Sequence, residues 1–198
     1  PESQYLDRKS ARKKPQELLK HLIAFANADG GQLVIGIEDE KQDNIITGFK
    51  DGKSYPIDDF KKIDREMRET PLDLSFEEIP VVNHKGEDDL ILVISVELSS
   101  NRVIAAPNDD VYLRQGDESI KLSYEQRTQL SYDQGQRIFE DEFVPDATLE
   151  DIDYRLVQDF KNRFDILARS IDEILKVRSF LVNAKLTKAS SLLFGRYT

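Results

Sequence analysis

The sequence predicts an α+β protein: a mixed sheet of about six strands with flanking helices, followed by a helical C-terminal segment. Three observations predict it. Strand and helix patterns come in mixed order over residues 1–131, which argues against a doubly wound sheet. "LDLSFEEIPVV" and "DDLILVISVEL" flank the turn "NHKGED", the pattern of a β-hairpin. Beyond residue 147 helical spacing dominates.

The elements follow in order. Residues 3–9 suit a short strand. Pro15 fits the first turn of a helix, where its missing N–H costs nothing. Leu18, Leu19, Leu22, Ile23 and Ala26 then recur on one helical face. Asp29-Gly30-Gly31 ends that helix. "QLVIGIE" is an apolar run between turn signals and reads as a buried strand, with "NIITGF" as its partner. "PIDDFKKIDREMRE" carries Ile57, Phe60, Ile63 and Met67 and reads as a second amphipathic helix. After the hairpin, "RVIAAP" and "DVYLRQGDES" read as two more short strands and "SYEQRTQL" as a short helix.

Residues 132–147 are polar, with Gly and Pro, and read as a linker. Thr148, with Glu150 and Asp151 behind it, starts a helix whose stripe is Leu149, Ile152, Leu156 and Phe160. "IDEILKVRSFLV" is another helix. Residues 148–198 make a poor core alone, so the expectation is the truncated start of a following domain. The chain opens on Pro1 and its single Met is Met67, so a trimmed start is expected too.

Of the 198 residues, 39% are hydrophobic and 33% charged, the balance of a protein with a polar surface. No run approaches a membrane span. With no cysteine, disulfides and thiolate zinc sites are excluded, and a cytoplasmic location is the expectation. The net charge of -10 argues against broad polyanion binding. The charge is uneven, however. Residues 1–30 hold Arg8, Lys9, Arg12, Lys13, Lys14 and Lys20 against Glu2, Asp7, Glu17 and Asp29, so a polyanion would be drawn there.

"ESQYLDRKS", "HLIAFANADGGQLVIGIEDE…ITGF" and "VYLRQGDES" together resemble the Schlafen/AlbA-like domain of bacterial transcriptional regulators and of the eukaryotic Schlafen proteins. The resemblance covers residues 2–130 well and 138–195 more loosely. "LTKASSLLFG" is similar to the region that follows this domain in longer bacterial members. The chain departs from the pattern at Asp7, where Glu is usual, and at Arg8, where an aromatic is common. The resemblance implies an α+β fold and nucleic-acid binding, to DNA or RNA. Some members are endoribonucleases that use three carboxylates. By motif these are Glu2, Asp7 and Asp39, with Mg²⁺ or Mn²⁺ as the ion and Lys9 stabilising phosphate charge.

Hard divalent ions need oxygen ligands, and His21 and His84 show no ligand spacing, so a carboxylate site is the metal site available. The three acids converge only if strands 3–9 and 32–38 pair. Arg8, Lys9, Arg12, Lys13 and Lys14 could instead grip phosphates directly. Cations before a helix oppose its dipole, which favours a functional reason over a solvated charge run. Arg114 is a further candidate, bracing a carboxylate or touching phosphate. "NADGG" follows a helix rather than preceding one, so it is no nucleotide loop. Three readings result: a nucleic-acid-binding module of a bacterial regulator, a metal-dependent endoribonuclease acting on tRNA-like or rRNA-like substrates, and an interaction or oligomerisation scaffold that pairs with further copies of the chain.

Overall fold

The computed structural model describes residues 2–38, 45–65, 67, 70–167 and 170–196. The chain divides into two units, Pro1–Gln134 and Gly135–Thr198.

In the first unit, β1 (Leu6–Lys9), α1 (Pro15–Ala26) and β2 (Gly31–Ile35) form a strand–helix–strand unit. The two strands pair in parallel, with Asp7 beside Leu33 and Lys9 beside Ile35. A parallel pair needs a crossover, and α1 supplies it. The helix leaves its last turn at Gly30, whose φ of 76° and N–H bond to Phe25 O turn the chain into β2. A one-turn helix, α2 (Ile57–Phe60), precedes the hairpin of β3 (Leu74–Val82) and β4 (Asp88–Val96). The sheet order is β1-β2-β4-β3. Its inner face presents Leu33, Ile35, Leu92 and Ile94 to Leu18, Leu22, Ile23 and Phe25 of α1. Its outer face carries a smaller apolar cluster of Val34, Ile91 and Val93.

The expected sheet of about six strands has four, for three local reasons. In "NIITGF", Ile46 meets Ile37 in an isolated bridge rather than a ladder, and Asn44 lies outside the described residues. "RVIAAP" is extended but joins no ladder, because the Asn27 side chain takes the place of a partner strand. Its Oδ1 accepts from Ile104 N at 2.7 Å, and its Nδ2 donates to Ile104 O at 2.8 Å and Tyr112 O at 2.9 Å. "VYLRQGDES" folds on itself at Gly116 into a separate hairpin, β5 (Tyr112–Gln115) and β6 (Glu118–Lys121). α3 (Tyr124–Asp133) follows, opened by a capping box between Ser123 and Gln126.

The second amphipathic helix is also corrected. Past α2 the backbone bonds are three residues apart, Ile63 N to Phe60 O and Met67 N to Asp64 O. These tight turns still bury Phe60, Ile63 and Met67, so the apolar spacing is used without a long helix.

In the second unit, Thr148 caps a single 3-10 turn, Leu149–Asp151, and not a long helix. Asp153 then caps α4 (Tyr154–Arg163). α5 (Ile171–Val177), the short hairpin β7 (Leu181–Val182) and β8 (Lys185–Leu186), and α6 (Lys188–Phe194) complete it. Its core joins Ile152, Val157, Ile174, Leu175 and Leu186 to the edge-on rings of Phe160, Phe180 and Phe194. Within the stretch that reads as linker, Phe139–Asp141 forms a 3-10 turn and Phe143 bridges Thr187. Among the described residues no helix is long and apolar enough to cross a membrane.

Candidate functional site

Alternation along β1 decides where its charges go. Asp7 and Lys9 share the face of Leu33 and Ile35, beneath α1, and Leu6 and Arg8 take the other face. Asp7 is therefore 1% exposed and Lys9 7%. A buried carboxylate must be matched by donors, and three converge on this one. Arg114 Nη1 donates to Asp7 Oδ2 at 2.8 Å, His21 Nδ1 lies 3.1 Å from the same oxygen, and Lys9 Nζ pairs with Oδ1.

Arg114 comes from β5 and is 2% exposed. Its remaining donors reach Ser3 O at 2.9 and 3.2 Å, Leu6 O at 3.3 Å and Ser119 Oγ at 3.3 Å. Its guanidinium lies 4.9 Å from the Phe25 ring centre. Gln4 adds a second tie, donating to Arg114 O and accepting from Gly116 N. The N-terminal segment is thus stapled to the β5–β6 hairpin. The guanidinium faces inward, and of the two roles the sequence leaves open for Arg114, a carboxylate brace or a phosphate contact, the contact present is to a carboxylate, Asp7.

Lys9 Nζ also faces Glu2 Oε1 at 3.4 Å, and Glu2 Oε1 accepts from Arg8 N at 3.2 Å. Burial, with the neighbouring Asp7 charge, pushes the Glu2 carboxyl above its usual range. For Asp7, burial acts to raise the value, but hydrogen bonds from His21 and Lys9 outweigh it and hold the carboxyl well below the usual range. Burial pushes the His21 imidazole down, against the raising effect of Asp7.

A Mg²⁺ or Mn²⁺ ion between Glu2 and Asp7 would need carboxylate oxygens open to it. Here both Asp7 oxygens are taken by N–H donors, and the Lys9 ammonium contacts both carboxylates. As arranged, these residues do not fit a divalent ion. Asp39 lies outside the described residues. Its neighbour Glu38 is buried, accepts from Ser10 Oγ at 2.9 Å and faces Arg12 at 3.5 Å. Among the described residues, no group of three or more His, Asp or Glu is placed to hold a metal.

The rest of the basic run lies in the loop before α1. Arg12 Nε pairs with Asp51 Oδ2, while its side chain keeps 41% exposure. Burial acts to raise the Asp51 carboxyl, but the Lys53 N–H, Ser54 and Arg12 lower it to about 2. Lys13 is half-buried. Lys14, the residue before the first turn of α1, is exposed, as is Lys20 on the same helix.

The sequence pattern does not reveal His21 and Ser119 as members of the cluster, and no local signal marks them, since they are 98 residues apart. They do not make a Ser–His–Asp relay with Asp7. Ser119 Oγ at 3.0 Å and Asp7 both face His21 Nδ1, whereas a relay needs one partner on each ring nitrogen.

Against known proteins, no curated protein matches the chain. Among solved structures it is similar to the crystal structure of the DIP2311 protein from Corynebacterium diphtheriae, at 20% identity and a TM-score of 0.47. That match covers 97% of this chain and 40% of the other, so this chain spans less than half the length of that protein. The Schlafen, AlbA_2 family matches residues 2–123, the stretch that holds β1, α1, the four-stranded sheet and the β5–β6 hairpin. The chain belongs to the Schlafen, AlbA_2 family.

Proposed function

We propose that the first unit is a nucleic-acid-binding module of a bacterial transcriptional regulator, and that it contacts the phosphate backbone through the loop before α1. One observation carries this reading. Three acids near the basic run are engaged by partners of the first unit, Asp7 by Lys9 and Arg114, Glu38 by Ser10 and Asp51 by Arg12, which leaves Glu17 as the exposed acid beside Lys14 and Lys20. Lys14 and Lys20 meanwhile project outward, with Arg12 partly exposed. Buried ion pairs leave the local potential to the exposed cations, which suits a polyanion. In this reading Lys9 and Arg114 position β1, and Arg8, Arg12, Lys13 and Lys14 reach phosphates. Fluorescence anisotropy with labelled RNA and DNA at about 50 mM salt tests it. Binding that weakens steeply with added salt is the expected result, and no binding of either polymer at that low salt would remove the reading.

A further inference from the structure

A cleft of about 870 Å³ opens beside the basic loop, between the first half of α1, the turns after α2 and the Ala106–Asn108 loop. Its size is near the upper end for ligand clefts, which suits a short segment better than one small group. Tyr55 and Tyr112 line it and also pack on the core beneath, so their rings are held in place. Lys20 on α1 and Lys62 and Arg65 on one turn after α2 are exposed along it. Glu17 and Asp59 are the acids that share the lining. Among the described lining residues three cations face two acids, a local excess of cations in a chain of net charge -10.

We propose that the cleft holds an unpaired stretch of nucleic acid, its bases stacked on Tyr55 and Tyr112 and its phosphates against Lys20, Lys62 and Arg65. Fixed aromatic rings beside mobile cations are the means by which proteins hold single strands with little regard to sequence. A duplex keeps its base faces inside the stack and cannot use the tyrosines. Glu17 and Asp59 can accept from exocyclic amino groups of the bases, and they repel a phosphate set at the wrong point. The proposal rests on the nucleic-acid reading above and extends it from phosphate contact to strand selection.

The test uses the whole chain with a single-stranded oligonucleotide that carries one 2-aminopurine, the matching duplex, and a free mononucleotide. Lys62→Glu with Arg65→Glu should weaken single-strand binding at least tenfold and duplex binding less than twofold. Stacking should quench the 2-aminopurine on the wild type, and the quench should be lost in Tyr55→Leu with Tyr112→Leu, with folding checked by circular dichroism. If those tyrosine variants do not fold, the charge reversals alone decide. Unchanged single-strand binding in the charge-reversed protein, or a mononucleotide that binds as tightly as the strand, would overturn the proposal while leaving phosphate binding by the loop intact. If no nucleic acid binds at all, both fall together.

Discussion

Arg114 and Asp7, 107 residues apart in the chain, form a buried ion pair at 2.8 Å. The pair joins the edge strand β1 to a hairpin outside the sheet. With Lys9 on one oxygen and Arg114 and His21 on the other, the carboxylate is a structural counter-ion within the fold.

Arg114→Met should lower stability by about 3–5 kcal/mol, because it leaves Asp7 less compensated and strips donors from Ser3 O and Leu6 O. Arg114→Lys should recover little, since an ammonium cannot reproduce the guanidinium fork. Urea unfolding of both variants measures this. A loss under about 1 kcal/mol in the methionine variant would show that the pair is dispensable.

Stability should fall as the pH is lowered. Both His21 and Asp7 have folded values below their ordinary ones, so the unfolded chain takes up protons first. His21 therefore begins to cost stability as the pH falls through about 6.5, and Asp7 adds to this below about pH 4. Each contributes a slope of at most about 1.4 kcal/mol per pH unit. Glu2 is shifted the other way and offsets part of the loss. Urea unfolding at about pH 7, 5.5 and 4 measures the slope, and His21→Gln should flatten its upper part. A wild type equally stable at neutral pH and at about pH 5 would contradict the assignment.

Much of the fold is legible in the sequence where the signal is local. Pro15 and the Leu18–Leu22 spacing mark α1, and "NHKGED" marks the β3–β4 hairpin. Strand count is less legible, because it depends on partners. Val103 and Ile104 have a strand's composition and burial, yet the Asn27 side chain bonds the backbone of Ile104. The candidate site divides in the same way. The alternation that sets Asp7 and Lys9 on one face can be read directly. That Arg114 and His21 would meet Asp7 cannot, because only the packing of α1 and β5 against β1 brings them together.

Gly30→Ala should cost about 2 kcal/mol or more. Gly30 has φ of 76°, and an added Cβ would stand 2.8 Å from Val96 O and 3.3 Å from Leu98 N. Both neighbours are backbone, so the strain of a left-handed residue adds to a close approach that cannot swing away. Thermal unfolding reads this directly, and an unchanged midpoint would mean that the turn into β2 relaxes freely.

Structured RNA incubated with Mn²⁺ should stay full length, since N–H donors take both Asp7 oxygens and the Lys9 ammonium contacts Glu2 as well. Gel analysis at moderate salt is the measurement. Cleavage that disappears in Asp39→Ala would show instead that Lys9 leaves the pair and that the acids act on a metal.

Lys13→Ala with Lys14→Ala should weaken nucleic-acid binding and also make it less sensitive to salt. Each neutralised phosphate releases counterions, so removing one cation from the backbone lowers the slope of log affinity against log salt by about 0.9 on duplex DNA and about 0.7 on a single strand. The double variant should therefore reduce the slope by roughly 1.4–1.8, whichever sequence is used. Lys85→Ala, exposed at the turn between β3 and β4, should leave it unchanged. This comparison separates a local grip from general charge, because both sets of changes remove cations from the same acidic protein. Equal slopes in the loop variant and the Lys85 variant would place the phosphate contacts elsewhere on the first unit.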